Sequence, residues 1–212
     1  MSLNNHNLRQ KGIIIFRIIL CVFGWTTITI GITLNILDGT ISNYFNYFTV
    51  QSNIMVAIWL TTYLIYANKD KKPIILESQV RGAITLYITV TFLVFAMFIA
   101  PNYQPEGLYI LTNFISHYLI PIGFIIDWVI TETEVQYKYS YGIYWTIYPL
   151  IYLIYTLVRG YFTAFYPYTF LDLNSISITR LIINVIFLMC LFLLLGFLYI
   201  FVNRIIFKKK NS

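Results

Sequence analysis

His117 is an ionisable side chain set inside a hydrophobic run: Leu108 to Trp128 carries no charge before Asp127. It lies about nine residues, roughly 14 Å at helical rise, from either end of that run. An ionisable group at such depth is costly in hydrocarbon, so it normally turns to a bundle interior or a cavity and has a partner. Asn113 stands one helical turn before it, placing an amide where it reaches the imidazole and selects its tautomer. Pro121 stands one turn after it, offers no N–H to the His117 carbonyl, and predicts a kink there. Asp127 is about 15 Å further along the axis, too far to act as the carboxylate of a triad. One histidine without clustered Cys, Asp or Glu makes no metal site, and no cofactor is expected.

A second polar group opens another apolar run: Asn46-Tyr47-Phe48-Thr49-Val50-Gln51-Ser52-Asn53. At about 100° per residue Thr49, Ser52 and Asn53 share one face and Gln51 points away. Two readings stand. Ser and Thr in membrane helices bond the carbonyl one turn back, and Asn bridges helices. Alternatively Thr49 offers its hydroxyl to a cavity, with Asn53 one turn below as a donor. A third group is Tyr141, Trp145, Tyr148, Tyr152, Tyr155 and Arg159, which recur at three- and four-residue intervals and share one helix face. Tyr148 and Tyr152 need hydrogen-bond partners, so the stripe faces protein or a polar cavity. At its end Arg159 either holds a substrate carboxylate or phosphate or snorkels outward. The aromatic stretch 161–170 reads as a layer at the outer headgroups, and Asp172 after it is placed to pair with Arg159 or Arg180.

The elements carrying these residues are membrane spans. Of 212 residues, 59% are hydrophobic and 10% charged, and mean hydropathy is +0.74. A soluble domain carries about a quarter charged residues. Six segments have the roughly 20 apolar residues that a spanning helix needs: 13–36, 44–66, 82–100, 108–128, 141–158 and 178–201, with a basic tail at 204–212. Their length and lack of alternation make them helices, not barrel strands. The expectation is an all-α six-helix bundle, one domain over 1–212.

Twelve of the fourteen lysines and arginines fall at the termini, near 67–81 and near 129–140, leaving Arg159 and Arg180 opposite. The positive-inside rule then puts both termini in the cytoplasm of a cell-membrane protein. The net charge of +6 follows from topology. Lys208 to Lys210 directly follow a span, so membrane lipids rather than nucleic acid are their expected partners. The first run is too long for a signal core and lacks a cleavage pattern, so it reads as a retained helix. Cys21 and Cys190 sit within spans as small apolar fillers. With six spans, helices two and four both run inward from the outer face. Thr49 and His117 then occupy the same half of the membrane and can meet across the bundle. A hydroxyl within reach of an imidazole base is the minimal arrangement for an activated nucleophile.

Six spans, the Phe48-Thr49-Val50-Gln51-Ser52-Asn53 cluster and the Asn113, His117, Pro121 helix resemble the androgen-induced-protein family of multi-pass membrane proteins. The Arg159-Gly160 pair and the Tyr166-Pro167-Tyr168-Thr169-Phe170-Leu171-Asp172 run look like that family's bacterial branch, the "Pr-six-Pr" membrane proteins. The resemblance covers nearly the whole chain in topology. It implies a threonine hydrolase that cleaves a fatty acid ester, with Thr49 as nucleophile and His117 as its base. Asn53, Ser52 or a backbone N–H would hold the oxyanion, Asn113 would orient the base, and Arg159, Tyr148 and Tyr152 would bind the substrate. The competing expectation is a non-enzymatic protein, a small transporter or a lipid-binding partner, although no internal repeat of the transporter kind is evident.

Overall fold

The computed structural model describes the backbone of residues 2–211 and the side chains of residues 8–210. Helix dominates, and no strand occurs among the described residues. Six helices are long and apolar enough to cross a membrane: α1 (Leu8–Leu37), α2 (Phe48–Tyr66), α3 (Ser78–Asn102), α4 (Leu108–Thr131), α5 (Tyr141–Thr163) and α6 (Ile178–Lys210). These are the six expected segments, mostly lengthened by a turn or two. The exception is α2, which starts four residues later than expected. The Asn46 side chain donates to the Ser42 and Asn43 carbonyls, at 2.7 and 3.2 Å. Those bonds hold a turn ahead of Phe48, because a short amide competes with the helix for backbone groups.

Burial assigns the centre. The apolar stretch of α3 is 56% buried, against 28% in α1 and in α6. Two apolar clusters flank α3. One joins Trp59, Leu60, Ile84, Ile88, Ile120 and Phe124, the other Phe48, Leu86, Tyr87, Trp145, Phe192 and Tyr199. Ile15, Ile18 and Val22 of α1 and Ile182, Ile186 and Leu194 of α6 point outward, as hydrocarbon-facing positions do. In lipid such surface does not drive helices together; close packing and interhelical hydrogen bonds do. Gly123 gives Leu20 its space between α4 and α1. Ser52 and Thr91 tie α2 to α3 at 2.9 Å, and Thr89 and Tyr199 tie α3 to α6 at 2.7 Å.

The start of α1 and the end of α6 lie at one end of the bundle, hereafter the terminal end. There Arg9 donates to the Ile130 carbonyl at 3.2 Å, Arg204 to the Tyr137 carbonyl at 3.0 Å, and Lys210 pairs with Glu134. Beneath them lies an ion network that joins α1, α3 and α4. Arg17 Nε meets Asp127 at 2.9 Å, Arg81 Nη2 meets Asp127 at 2.6 Å, and Arg81 Nη1 meets Glu132 at 2.8 Å. Thr131 accepts from both arginines, at 2.8 and 2.7 Å. Arg17 and Asp127 are 2% exposed, Arg81 and Glu132 5%. The guanidinium carbons also lie over aromatic rings, Arg17 3.9 Å from the Tyr63 centroid and Arg81 4.7 Å from that of Trp59. Arg17 and Arg81, expected only as markers of topology, are thus buried interior charges, and Asp127 is their common partner.

Candidate functional site

Two prolines shape the opposite half. In α3 the Ala100 N–H donates to the Phe95 carbonyl, five residues back instead of four. In α4 the Ile120 N–H donates in the same way to Ile115. Pro101 and Pro121 follow directly. A proline ring crowds the carbonyl one turn back and brings no N–H, and a single π turn relieves that crowding. The turn in α4 has a second effect. With the Ile120 N–H diverted, the Ser116 carbonyl has no α-helical donor, and the residue after Ile120 cannot supply one. Asn53 Nδ2 donates to it from α2 at 3.0 Å. The kink expected at Pro121 is therefore a π turn, and the carbonyl that α2 takes up belongs to Ser116.

The two π turns face each other. Phe95 stacks on His117, with ring centroids 3.7 Å apart and planes 23° apart. His117 Nδ1 lies 3.1 Å from the Asn113 carbonyl and 3.2 Å from Ser116 Oγ. A carbonyl only accepts, so the proton sits on Nδ1 and Nε2 keeps its lone pair. The Asn113 contact to the imidazole runs through the main-chain carbonyl and not, as expected, through the side-chain amide. Ser116 Oγ donates to the Thr112 carbonyl at 2.7 Å, which leaves its oxygen free to accept.

Thr49 stands in the first turn of α2. Its carbonyl accepts from Ser52 Oγ at 3.0 Å and from Asn53 Nδ2 at 2.9 Å. Both amide hydrogens of Asn53 are therefore engaged, and its Oδ1 is buried without a donor. Ser52 turns to Thr91 of α3. These two residues fasten helices, the first of the two sequence readings, and neither has a donor left for an oxyanion. The Thr49 N–H donates to the Tyr168 hydroxyl at 3.3 Å. Tyr168 lies outside the spans. Burial pushes its phenol up from the usual tyrosine range, and hydrogen bonds from the Thr49 side chain and N–H oppose that.

Thr49 and His117 line one cavity of about 380 Å³, together with Asn113, Ser116, Phe95 and Tyr168. No hydrogen bond joins the Thr49 hydroxyl to the imidazole among the described residues. A narrow apolar cleft of about 70 Å³ lies on the far side of Thr49, lined by Val90, Phe192 and Leu188. Thr49, Phe95 and Tyr168 border both spaces, so Thr49 stands between the larger chamber and the apolar cleft.

The tyrosine stripe of α5 goes elsewhere. Tyr148 donates to Gln51 Oε1 and Tyr155 to Asn46 Oδ1. Tyr152 donates to the Asn46 carbonyl at 2.8 Å. Arg159 donates to Asn43 Oδ1 at 2.9 Å and to the Ser42 carbonyl at 3.3 Å. The stripe zips α5 onto the turn that delivers Thr49. Of the three residues expected at the substrate, only Tyr152 borders a space next to Thr49, and its hydroxyl is already bound. Asp172 pairs with neither arginine; it accepts from the Asn174 N–H and Ser175 Oγ, closing its own turn at 2.8 and 2.7 Å. Tyr161 and Phe162 do face outward, but Tyr168 turns in, because Ala164 adopts a left-handed φ of 54° and reverses the chain after α5. Tyr168 is the site residue that sequence periodicity misses, since only the path of a loop brings it there.

The fold is that of a six-helix bundle with membrane-length helices and a polar chamber at one end. The chain matches no family model, no curated protein and no solved structure.

Proposed function

We propose that this chain is a membrane-embedded hydrolase that cleaves a lipid or fatty acid ester through Thr49 and His117, as the likeness to the androgen-induced-protein family and its bacterial branch implies. The observation that carries the reading is that Thr49 and His117, on different helices, line one cavity. His117 Nδ1 is tied to Asn113, so Nε2 is the free base.

In this reading an ester enters with its polar end in the larger chamber and its apolar part toward the narrow cleft. Thr49 Oγ1 attacks the carbonyl carbon, and His117 Nε2 takes the hydroxyl proton. The proton passes to the departing alcohol oxygen as the old ester bond breaks, leaving an acyl-threonine that water hydrolyses with the same base. Thr49 and His117 are not hydrogen-bonded to each other, so the first transfer requires a rotation of Thr49 or a bridging water. With Asn53 and Ser52 committed to helix contacts, the Tyr168 hydroxyl beside Thr49 is the donor for the developing oxyanion. The basic terminal end faces the cytoplasm of a bacterial cell membrane, and the chamber opens toward the outer leaflet.

The test is labelling of the purified protein by a fluorophosphonate probe. Parent protein is expected to label, and Thr49→Ala and His117→Ala each to lose labelling while keeping the parent's melting temperature. Undiminished labelling in both variants refutes the dyad. The missing Thr49–His117 bond favours a second reading, a ligand-binding or transport cavity; substrate-dependent flux into liposomes that survives Thr49→Ala would select it.

A further inference from the structure

A cavity larger than the Thr49 chamber, about 890 Å³, opens at the terminal end. Its lining includes five cations, Arg9, Arg17, Lys72, Arg81 and Lys210. Three carboxylates, Asp127, Glu132 and Glu134, stand against them. The surplus of charge is matched by a surplus of donors. A guanidinium carries five N–H groups and accepts none. Arg17 spends Nε on Asp127 and Nη2 on Thr131, and Nη1 takes no acceptor among the described residues. Arg81 Nε and Trp59 Nε1, from residues that also line this cavity, are buried without one. Lys72 is exposed at the mouth and enters no ion pair among the described residues.

A network that only fastens helices is complete once its donors are matched. This one leaves Arg17 Nη1 and Lys72 unmatched at the cavity, and the ligand that matches them brings acceptors and negative charge only. The donors open to the cavity come from two elements, Arg9 and Arg17 on α1 and Lys72 in the turn before α3. A carboxylate satisfies a single fork, whereas a phosphate presents oxygens in several directions. Basic pockets between membrane helices take phosphate headgroups by the same chemistry. We propose that the cavity at the terminal end binds a phosphate ester, with Arg17 Nη1 at its floor and Arg9 and Lys72 at its mouth. The source is a phospholipid headgroup reaching in from the bilayer or a soluble phosphorylated compound. The site stands apart from Thr49 and His117 and does not depend on their chemistry.

The experiment uses the full chain in a maltoside detergent, which carries no phosphate. Thermal unfolding is followed with sodium phosphate against sodium chloride at equal ionic strength, and with phosphatidylglycerol against neutral diacylglycerol in the micelles. A melting temperature raised by phosphate or phosphatidylglycerol beyond its control is expected. A lipid-only response assigns a headgroup, and a response to free phosphate assigns a soluble ligand. Arg9→Ala with Lys72→Ala, both exposed and outside the buried network, is expected to keep the unliganded melting temperature and to need at least tenfold more probe for the same shift. Thr49→Ala is expected to respond like the parent. No shift beyond the controls with either probe, or a double variant as responsive as the parent, overturns the proposal.

Discussion

Substitutions at Asn53 weigh one stranded group against another. Its Nδ2 donates to Thr49 O at 2.9 Å and to Ser116 O at 3.0 Å, while its Oδ1 is buried with no donor. Thr49 O also accepts from Ser52, so loss of the amide strands only the Ser116 carbonyl. An interhelical hydrogen bond in a membrane protein contributes about 0.6 kcal/mol, up to ~1.7. Stranding a buried acceptor costs about 1–3 kcal/mol. Asn53→Leu strands Ser116 O but removes the already stranded Oδ1, and these two effects nearly cancel. Its expected cost is therefore only about 1 kcal/mol, raised slightly because a methyl needs more room than an N–H. Asn53→Asp has the opposite balance: it keeps an unpartnered oxygen and puts a second in place of the amide nitrogen, against the Thr49 and Ser116 carbonyl oxygens with no cation beside them. Its expected cost exceeds about 3 kcal/mol. Reversible unfolding in mixed micelles with increasing dodecyl sulfate, both variants against the parent, measures the difference. A Leu variant as damaged as the Asp variant, or an Asp variant as stable as the parent, would refute the bonding described for Asn53.

Asp127→Ala leaves Arg17 and Arg81 buried with Glu132 as their one remaining carboxylate, and about 3–5 kcal/mol of stability should be lost; a change below about 1 kcal/mol in the same unfolding assay would contradict the network. At Gly160 an added methyl meets the Tyr166 ring, so Gly160→Ala should cost about 1–3 kcal/mol by overpacking, read as a lower melting temperature. Tyr168→Phe keeps the ring beside Thr49 and removes its hydroxyl. Probe labelling of Thr49 should slow by about 100-fold, the scale of one oxyanion donor, with a slightly lowered melting temperature because the Thr49 N–H loses its acceptor; labelling at the parental rate would remove Tyr168 from the reaction.

The six spans are legible in the sequence because lipid demands long apolar runs, and Thr49 and His117 share a chamber because their depths follow from span count and direction. Other features are not legible for identifiable reasons. Periodicity assumes about 3.6 residues per turn, so it overlooks two π turns, although Pro101 and Pro121 mark where they end. The start of α2 is misplaced because Asn46 bonds backbone carbonyls and not a helix face. Arg17 and Arg81 count equally in the positive-inside tally whether they face headgroups or Asp127, so the tally conceals the network. Tyr148, Tyr152 and Arg159 do share a face, but a shared face does not say whether the partner is a substrate or, as here, Gln51 of α2 and the turn at 42–46.

The Arg17–Asp127 pair also constrains how the protein is made. Its members are 110 residues apart, and translation proceeds at about 5–20 residues per second, so Arg17 enters the bilayer some 5 to 20 s before its carboxylate exists. An arginine at a helix centre opposes insertion by about 2.5–3.5 kcal/mol, the upper bound for Arg17, which lies nearer the start of α1. In that interval α1 keeps Arg17 near the headgroups or sheltered by the insertion machinery. Arg81 arrives next and adds a like charge. Only the synthesis of α4 lets either arginine settle, so the third-to-last span is the one on which assembly of the first half of the molecule waits.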